Sequence, residues 1–270
     1  MELRRAALAV LVIADPREKI AAVARLAVGA TAVDPSAQIC EPAGLPGRPA
    51  RPLLVPASRV PARSTATAAG RAARLHSIAH IEYNAINLAL DAIWRFPGLP
   101  VAYYQDWLQV AREEALHHEL LARHLATLGV DYGDFDAHNG LWEMAERTRG
   151  DVLGRMALVP RTLEARGLDA TPGIQARLAA AGDAVAANIL EIILRDEIGH
   201  VAIGNRWYRQ MCRERGCDPL RTYEELASRF RAPRLRGPFN LEARRRAGFD
   251  EAEIDVLRNL IPRPRERGKD

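Results

Sequence analysis

Cysteine is scarce in this chain and badly placed for pairing: Cys40, Cys212 and Cys217 make an odd count with no C-x-x-C. That excludes a disulfide framework and a rubredoxin-type iron site, and it fits a reducing cytoplasm. Aromatic residues make up only 6% of the chain, and no run of Val, Ile, Thr and aromatics alternates far enough to predict a strand. Ala and Leu dominate instead, which favours an all-α fold. No apolar run reaches the ~20 residues of a transmembrane span. The opening Met1–Arg5 followed by Ala6–Ala14 superficially resembles a signal peptide. Asp15-Pro16, however, is an N-cap with proline at the first helical position, so two short amphipathic helices are predicted there. Lysine is nearly missing too, at positions 19 and 269 alone, so the net charge of +4 rests on arginine.

Against that background two copies of Glu-x-x-His stand out, Glu114-Ala115-Leu116-His117 and Glu197-Ile198-Gly199-His200. A helix carries residues i and i+3 on one face, so each copy offers a carboxylate and an imidazole to one point. A solitary Glu precedes each copy: Glu82 lies 32 residues before Glu114, and Glu164 lies 33 before Glu197. The chain thus reads as a duplicated helix pair. Glu82 lines up with Leu75, Ile78, Ala85 and Ala89, while Glu114 and His117 continue the stripe of Trp107, Val110 and Leu121. Glu197 and His200 interrupt Leu190, Ile193, Gly204 and Trp207, and Glu164 follows Leu153 and Ala157. All six therefore point at the core.

One isolated buried carboxylate costs more than the ~5–15 kcal/mol by which a whole domain is stable, so four require compensation. The bland alternative is a buried ion-pair network, but these stripes hold no Lys or Arg beside the acids, which leaves protonation or metal. Two divalent cations would balance the four carboxylates, with the neutral imidazoles completing the ligand set. Glu82, Glu114, His117, Glu164, Glu197 and His200 are the candidate metal and catalytic residues. Mixed carboxylate and imidazole donors on bundle helices suit two iron ions, with manganese or zinc as alternatives. Glu113 and Asp196 each directly precede a candidate ligand, and each is placed to accept a hydrogen bond from the imidazole of the opposite pair. The other reading of these two is a solvated helix face.

The predicted organisation is an N-terminal region over 1–70, a dimetal bundle over 71–215 and a C-terminal helical extension over 216–270. Residues 31–70 form a Pro- and Gly-rich strap. Helix one is predicted over 64–96, stopped by Pro97-Gly98, and helix two over 101–128, its antiparallel neighbour. A crossover of residues 129–140 follows, then helix three over 141–165 with a kink at Pro160. Thr171-Pro172 is predicted to start helix four, which runs to about residue 215. Shorter helices are expected over 222–230, over 241–246 behind Asn240, and over 251–260 behind Asp250, where Glu253 completes a capping box. The tail from Pro262 is expected to be disordered.

Other polar residues carry weaker signals. His124 lies two turns beyond His117 and reads as a core or channel residue. His76, His80, His118 and His138 fall off the ligand face, with His80 a possible support. Glu191 is rotated about 120° from Glu197 and is at most a support residue. Trp107 and Trp207 read as packing residues, and Tyr83 as pointing away from the metals. Arg244-Arg245-Arg246 and Arg263, Arg265 and Arg267 are basic clusters able to touch RNA, phosphate or an acidic protein, though without interleaved aromatics or a reader motif an ordinary basic surface is the preferred reading.

The strings His80-Ile81-Glu82, Val110–His117, Leu163–Asp169, Asp196–Val201 and Gly237–Phe249 resemble the ferritin-like proteins grouped as domain of unknown function 455. The resemblance spans nearly the whole chain. It implies a ferritin-like four-helix bundle with helical N- and C-terminal extensions, and it places the six candidates on that superfamily's ligand positions. It implies no reaction. More distantly the ligand pattern resembles rubrerythrins and the di-iron hydroxylase that modifies transfer RNA.

Four functions are compatible with these residues. The first is a di-iron oxidoreductase activating dioxygen or peroxide to oxidise or hydroxylate a small-molecule substrate, with an external electron donor. The second is a ferroxidase or peroxide-removing, iron-handling protein; the third, a metal-stapled interaction scaffold; the fourth, an RNA-modifying hydroxylase. Specificity depends on a pocket that a sequence does not position, and residues 31–70 and 129–140 are the segments expected to cover an entrance.

Overall fold

The computed structural model describes residues 2–26, 32–61 and 64–260. The fold is all-helical: among the described residues there is no strand, only a single parallel bridge between Leu54 and Ala137. No described helix is long and apolar enough to cross a membrane. The predicted tail beyond Leu260 lies outside the described residues.

The chain enters through α1 (Leu3–Leu11) and α2 (Pro16–Arg25). Asp15 caps α2 by accepting from the Glu18 amide at 2.8 Å, with Pro16 in the first turn as expected. Two long helices follow, α3 (Ala68–Arg95) and α4 (Val101–Thr127). α3 starts four residues later than the pattern predicts, because Thr67 accepts from the Gly70 amide and fixes the first turn. The pairings Tyr104 with Phe96, His117 with Glu82 and His118 with Ala79 run in opposite directions along the two helices, so α3 and α4 are antiparallel.

Helix three departs from expectation in two places. The predicted single helix is split into α5 (Gly140–Arg147) and α6 (Val152–Leu158). Thr148 turns its hydroxyl back to the Met144 carbonyl, and Asp151 then caps a new helix by accepting from the Gly154 amide. The predicted kink at Pro160 is a π-helical turn over Val159–Glu164. Proline has no N–H to continue the α ladder, and Thr162 bonds the Ala157 carbonyl five residues back. A Cβ at position 204 would collide with Pro160, so Gly204 is what lets the facing helix approach this turn.

Thr171-Pro172 does not begin a helix: it lies inside α7 (Ala165–Ala180). Pro172 has no proton for the Leu168 carbonyl, and the Asn240 side-chain amide donates to that carbonyl from a distant segment at 3.2 Å. The last long helix, α8 (Ala184–Arg215), begins behind Asp183 and ends on Gly216 at φ 63°, the left-handed conformation that favours glycine. Three short helices close the chain, α9 (Pro219–Arg229), α10 (Leu241–Arg246) and α11 (Glu251–Asn259). The Asp250/Glu253 capping box is present.

α3 packs along α4, and α8 packs against α4, α6, the π turn and α7. The apolar interior falls into two main layers. One gathers Leu75, Ile78, Leu121, Leu125, Leu190 and Ile193. The larger gathers Ile86, Ile93, Tyr103, Trp107, Leu158, Trp207 and Met211, with α1 and α2 packed onto it. On α3 and α8 the candidate ligands Glu82, Glu197 and His200 fall between these two layers in sequence, as does His117 on α4.

Candidate metal centre

Each candidate ligand is buried: Glu114, His117 and His200 entirely, Glu82 to 2% exposure, Glu197 to 6% and Glu164 to 8%. α3 supplies Glu82, α4 supplies Glu114 and His117, the π turn ends on Glu164, and α8 supplies Glu197 and His200. The structure gathers two overlapping groups able to hold a metal ion, Glu82–Glu114–His117 and Glu114–Glu197–His200. Glu114 is the shared member. Its Oε2 is 3.4 Å from His117 Nδ1 and its Oε1 is 3.0 Å from His200 Nδ1, with the two rings 5.8 Å apart.

The His200 Nδ1–Glu114 Oε1 approach has the length of a hydrogen bond but not its alignment, and neither atom is hydrogen-bonded. Five buried donor atoms are left in this state: both oxygens of Glu114, Oε2 of Glu164, Oε2 of Glu197 and Nδ1 of His200. Buried polar atoms seldom go unpaired, because desolvation is then uncompensated. Atoms that converge without pointing at one another are oriented toward a third centre. The donor set therefore fits metal ions. Glu164 belongs to neither compact group, but it interacts electrostatically with Glu114, His200 and Glu82.

The imidazoles are aimed from outside. His117 Nε2 donates to Asp196 at 3.1 Å and His200 Nε2 donates to Glu113 at 2.7 Å. Each carboxylate serves the histidine of the opposite Glu-x-x-His, as the sequence suggested. With Nε2 occupied, Nδ1 is the nitrogen that faces the carboxylates, and His117 Nδ1 lies 3.1 Å from Glu82 Oε2.

Burial and mutual charge set how tightly these groups hold protons. Burial raises the Glu82 carboxyl to about 7, with the negative charge of Glu114 adding to it. Burial and the same neighbour raise Glu164 to about 8 and Glu197 well above the usual range. Burial opposes ionisation of Glu114 as well, but the imidazoles of His200 and His117 outweigh it and hold that carboxyl well below its ordinary value. Burial opposes the charge on His117, yet the adjoining carboxylates of Glu114 and Glu82 lift it to about 12. His200 is raised for the same reason, chiefly by the charge of Glu114. These are populations a bound cation would reverse, since ligation requires ionised carboxylates and neutral imidazoles.

Among the described residues none of the four acids pairs with Lys or Arg, as expected, although an arginine does enter the interior. Arg155 of α6 is buried beside Asp91, and it also donates to the Ala145 carbonyl and to the Thr148 hydroxyl from Nε. Its guanidinium is thus spent in the apolar layer, although its charge still lowers Glu164 slightly against the larger effect of burial. Helical patterning of residues 141–165 as one element hid this pair.

The remaining candidates sit elsewhere. His124 is buried and donates to Asp183 at 3.1 Å, which fixes the start of α8. His80 does not support the centre: it takes a hydrogen bond from Tyr132 at 2.9 Å and donates to the His138 carbonyl at 3.2 Å, on the other side of α3. Tyr132 of the crossover packs among His76, Tyr83 and His118 there. The strap and crossover meet through Val55 and Ala137, and where they pack on α3 they cover that outer face, not the face of Glu82. Glu191 is exposed. Trp207 donates to Asp106 at 2.8 Å, and both tryptophans pack in the larger apolar layer. Of the basic cluster, Arg244 is buried against Asp169 and Arg245 pairs with Glu251 at the surface. Arg263, Arg265 and Arg267 lie outside the described residues.

Residues 12–255 match a family described as "Protein of unknown function (DUF455)". An uncharacterized protein of Haemophilus influenzae (strain ATCC 51907 / DSM 11121 / KW20 / Rd) is 54% identical over 216 residues, which cover 77% of this chain and 75% of that protein. No solved structure matches the chain.

Proposed function

We propose, from the premise that the chain belongs to the DUF455 family of proteins of unknown function, that it is a di-iron oxidoreductase built on a ferritin-like four-helix bundle. The observation that carries this reading is the buried, unpaired donor atoms of Glu114, Glu197 and His200, which belong to one compact group, with a buried and unpaired oxygen of Glu164 as a fifth. Glu82, Glu114 and His117 would hold one ion and Glu114, Glu197 and His200 the other, with Glu164 completing the carboxylate set. A pair of adjacent irons supplies two-electron reduction of dioxygen or peroxide, and hence oxidation or hydroxylation of an organic substrate.

The chain's own contribution is orientation, charge and dryness. Asp196 and Glu113 fix the two imidazoles through Nε2, which holds each Nδ1 on the shared centre. Glu82, Glu164 and Glu197 are carboxyls whose affinity for a proton lies near or above neutrality without metal, so they are able to exchange protons during a reaction. The apolar layers on either side keep bulk water from the centre, which strengthens its electrostatics. The substrate is a small organic molecule in this proposal, and electrons come from an external donor.

The test is elemental analysis of protein purified without added metal, beside a Glu114→Ala, Glu197→Ala variant, followed by oxygen uptake of the reduced protein. About two irons lost in the variant, and stoichiometric uptake in one turnover, are expected. Two ions that stabilise the fold without reacting with oxygen would instead indicate a metal-stapled scaffold. Ferrous oxidation that builds a multi-iron mineral would indicate iron handling.

A further inference from the structure

The largest cavity described is not at the carboxylate centre. A trough of about 320 Å³ lies against the outer face of α3, roofed by the strap and walled by the crossover. Its polar groups are Arg74, Ser77, His80 and His138, and its apolar walls include Ala57, Val60, Ile81 and Leu141. That volume falls within the ~300–1,000 Å³ of small-molecule sites. His80 and Glu82 are two residues apart, about 200° around an ideal helix, so α3 itself separates the trough from the carboxylates.

The charge at one end is unspent. Most of the buried arginines elsewhere find acids or carbonyls: Arg155 has Asp91, Arg161 has Glu253, Arg244 has Asp169, and Arg4 has a set of backbone carbonyls, while half-buried Arg48 lies over the Trp142 ring. Arg74, half-buried, has no hydrogen bond or ion pair among the described residues. His138 accepts from the Gly140 amide through Nδ1, which leaves its Nε2 for a ligand. Ser77 donates to the Ala73 carbonyl and keeps its lone pairs. A contiguous hollow of about 180 Å³, sharing Val60, Pro61, Ala73 and Ser77, is edged by Asp134 and Asp136. Negative charge is therefore favoured at the Arg74 end and opposed at the other, so a ligand fits with one anionic head and a neutral body.

We infer that this trough is a binding site, distinct from the candidate metal centre, for a small organic monoanion whose carboxylate, sulfonate or phosphate ester meets Arg74 and whose apolar body lies between the strap and α3. The guanidinium offers two parallel donors to such a head. The site does not depend on the oxidoreductase reading.

Two probes of similar shape test it on the full-length protein as purified: the anion 8-anilinonaphthalene-1-sulfonate and its uncharged analogue N-phenyl-1-naphthylamine, both followed by fluorescence titration. One saturable site is expected for the anion. Arg74→Gln should weaken the anion about tenfold and the neutral analogue less than about twofold, since one charge-assisted contact is worth roughly that factor. Ala57→Trp, an exposed change that narrows the trough, should weaken both. Metal content and thermal midpoint should be unchanged in either variant. Absence of saturable binding, equal effects of Arg74→Gln on both probes, no effect of Ala57→Trp, or loss of metal in Arg74→Gln would overturn the assignment.

Discussion

His117 and His118 are neighbours on α4 and equally buried, yet the fold drives them to opposite charge states. His117 faces Glu82, Glu114 and Asp196, and its imidazole is lifted to about 12 despite burial. His118 faces Tyr83, Tyr132 and the Ala79 carbonyl, and burial pushes it down to about 4. His76 and His80 on the same outer face are also pushed down to about 4 by burial. One helix pair thus has a charged inner face of carboxylates and imidazoles and a neutral outer face of imidazole and tyrosine. A hundred degrees of helical rotation decides which chemistry a histidine joins.

The comparison breaks most completely at Glu114, the carboxylate shared by both groups. Glu114→Gln is expected to abolish binding of both ions, read as metal per chain, whereas His118→Asn should leave the content unchanged. Next in size is the pH dependence of metal binding. Glu82 and Glu164 must lose protons held with affinities near 7 and 8, and both imidazoles must be neutral. Affinity should therefore rise at least about tenfold per pH unit up to pH 7, with protons released in calorimetry carried out in two buffers. A pH-independent affinity would contradict the inner-face assignment.

The outer face is sharpened by acid. His118 stays neutral in the folded chain down to about 4, while in the unfolded chain it takes its proton near 6.5. Folding stability should be full above pH 6.5 and decline as the pH falls to about 4, by on the order of 3 kcal/mol for this group. Denaturant titrations of wild type and His118→Asn should show a shallower decline in the variant. A smaller change is expected from Asp196→Asn, which removes the charge that orients His117 but keeps a polar group: roughly tenfold to a hundredfold weaker metal binding. The smallest belongs to Arg245→Ala, an exposed pair with Glu251, which should leave the denaturation midpoint essentially unchanged. Its neighbour Arg244, buried against Asp169, should not be removable at so low a cost.

Much of this was legible beforehand because it depends on local geometry. Spacing alone put Glu114 with His117 and Glu197 with His200, and position beside the ligands marked Glu113 and Asp196 as partners of the opposite imidazoles. Caps at Asp15, Asn240 and Asp250 followed from residue type. The failures were places where a distant group changed a local rule. Pro172 reads as a helix start until Asn240 is seen donating to the Leu168 carbonyl. Pro160 reads as a kink, but Thr162 and the gap opposite Gly204 make a π turn of it. Arg155 was missed because its partner, Asp91, lies 64 residues away.

By itself the sequence determined that the fold is helical, which faces of the long helices turn inward and which residue pairs share a face, since these depend on intervals of three and four residues along one helix. Only the tertiary structure decided that Glu114 is the shared carboxylate, that Glu164 stands apart from the two compact groups, and that the strap covers the face of His80 and not that of Glu82. Those outcomes depend on how separate helices are rotated and spaced against one another. No interval within a single helix encodes that, because packing fixes it through contacts between residues far apart in the chain.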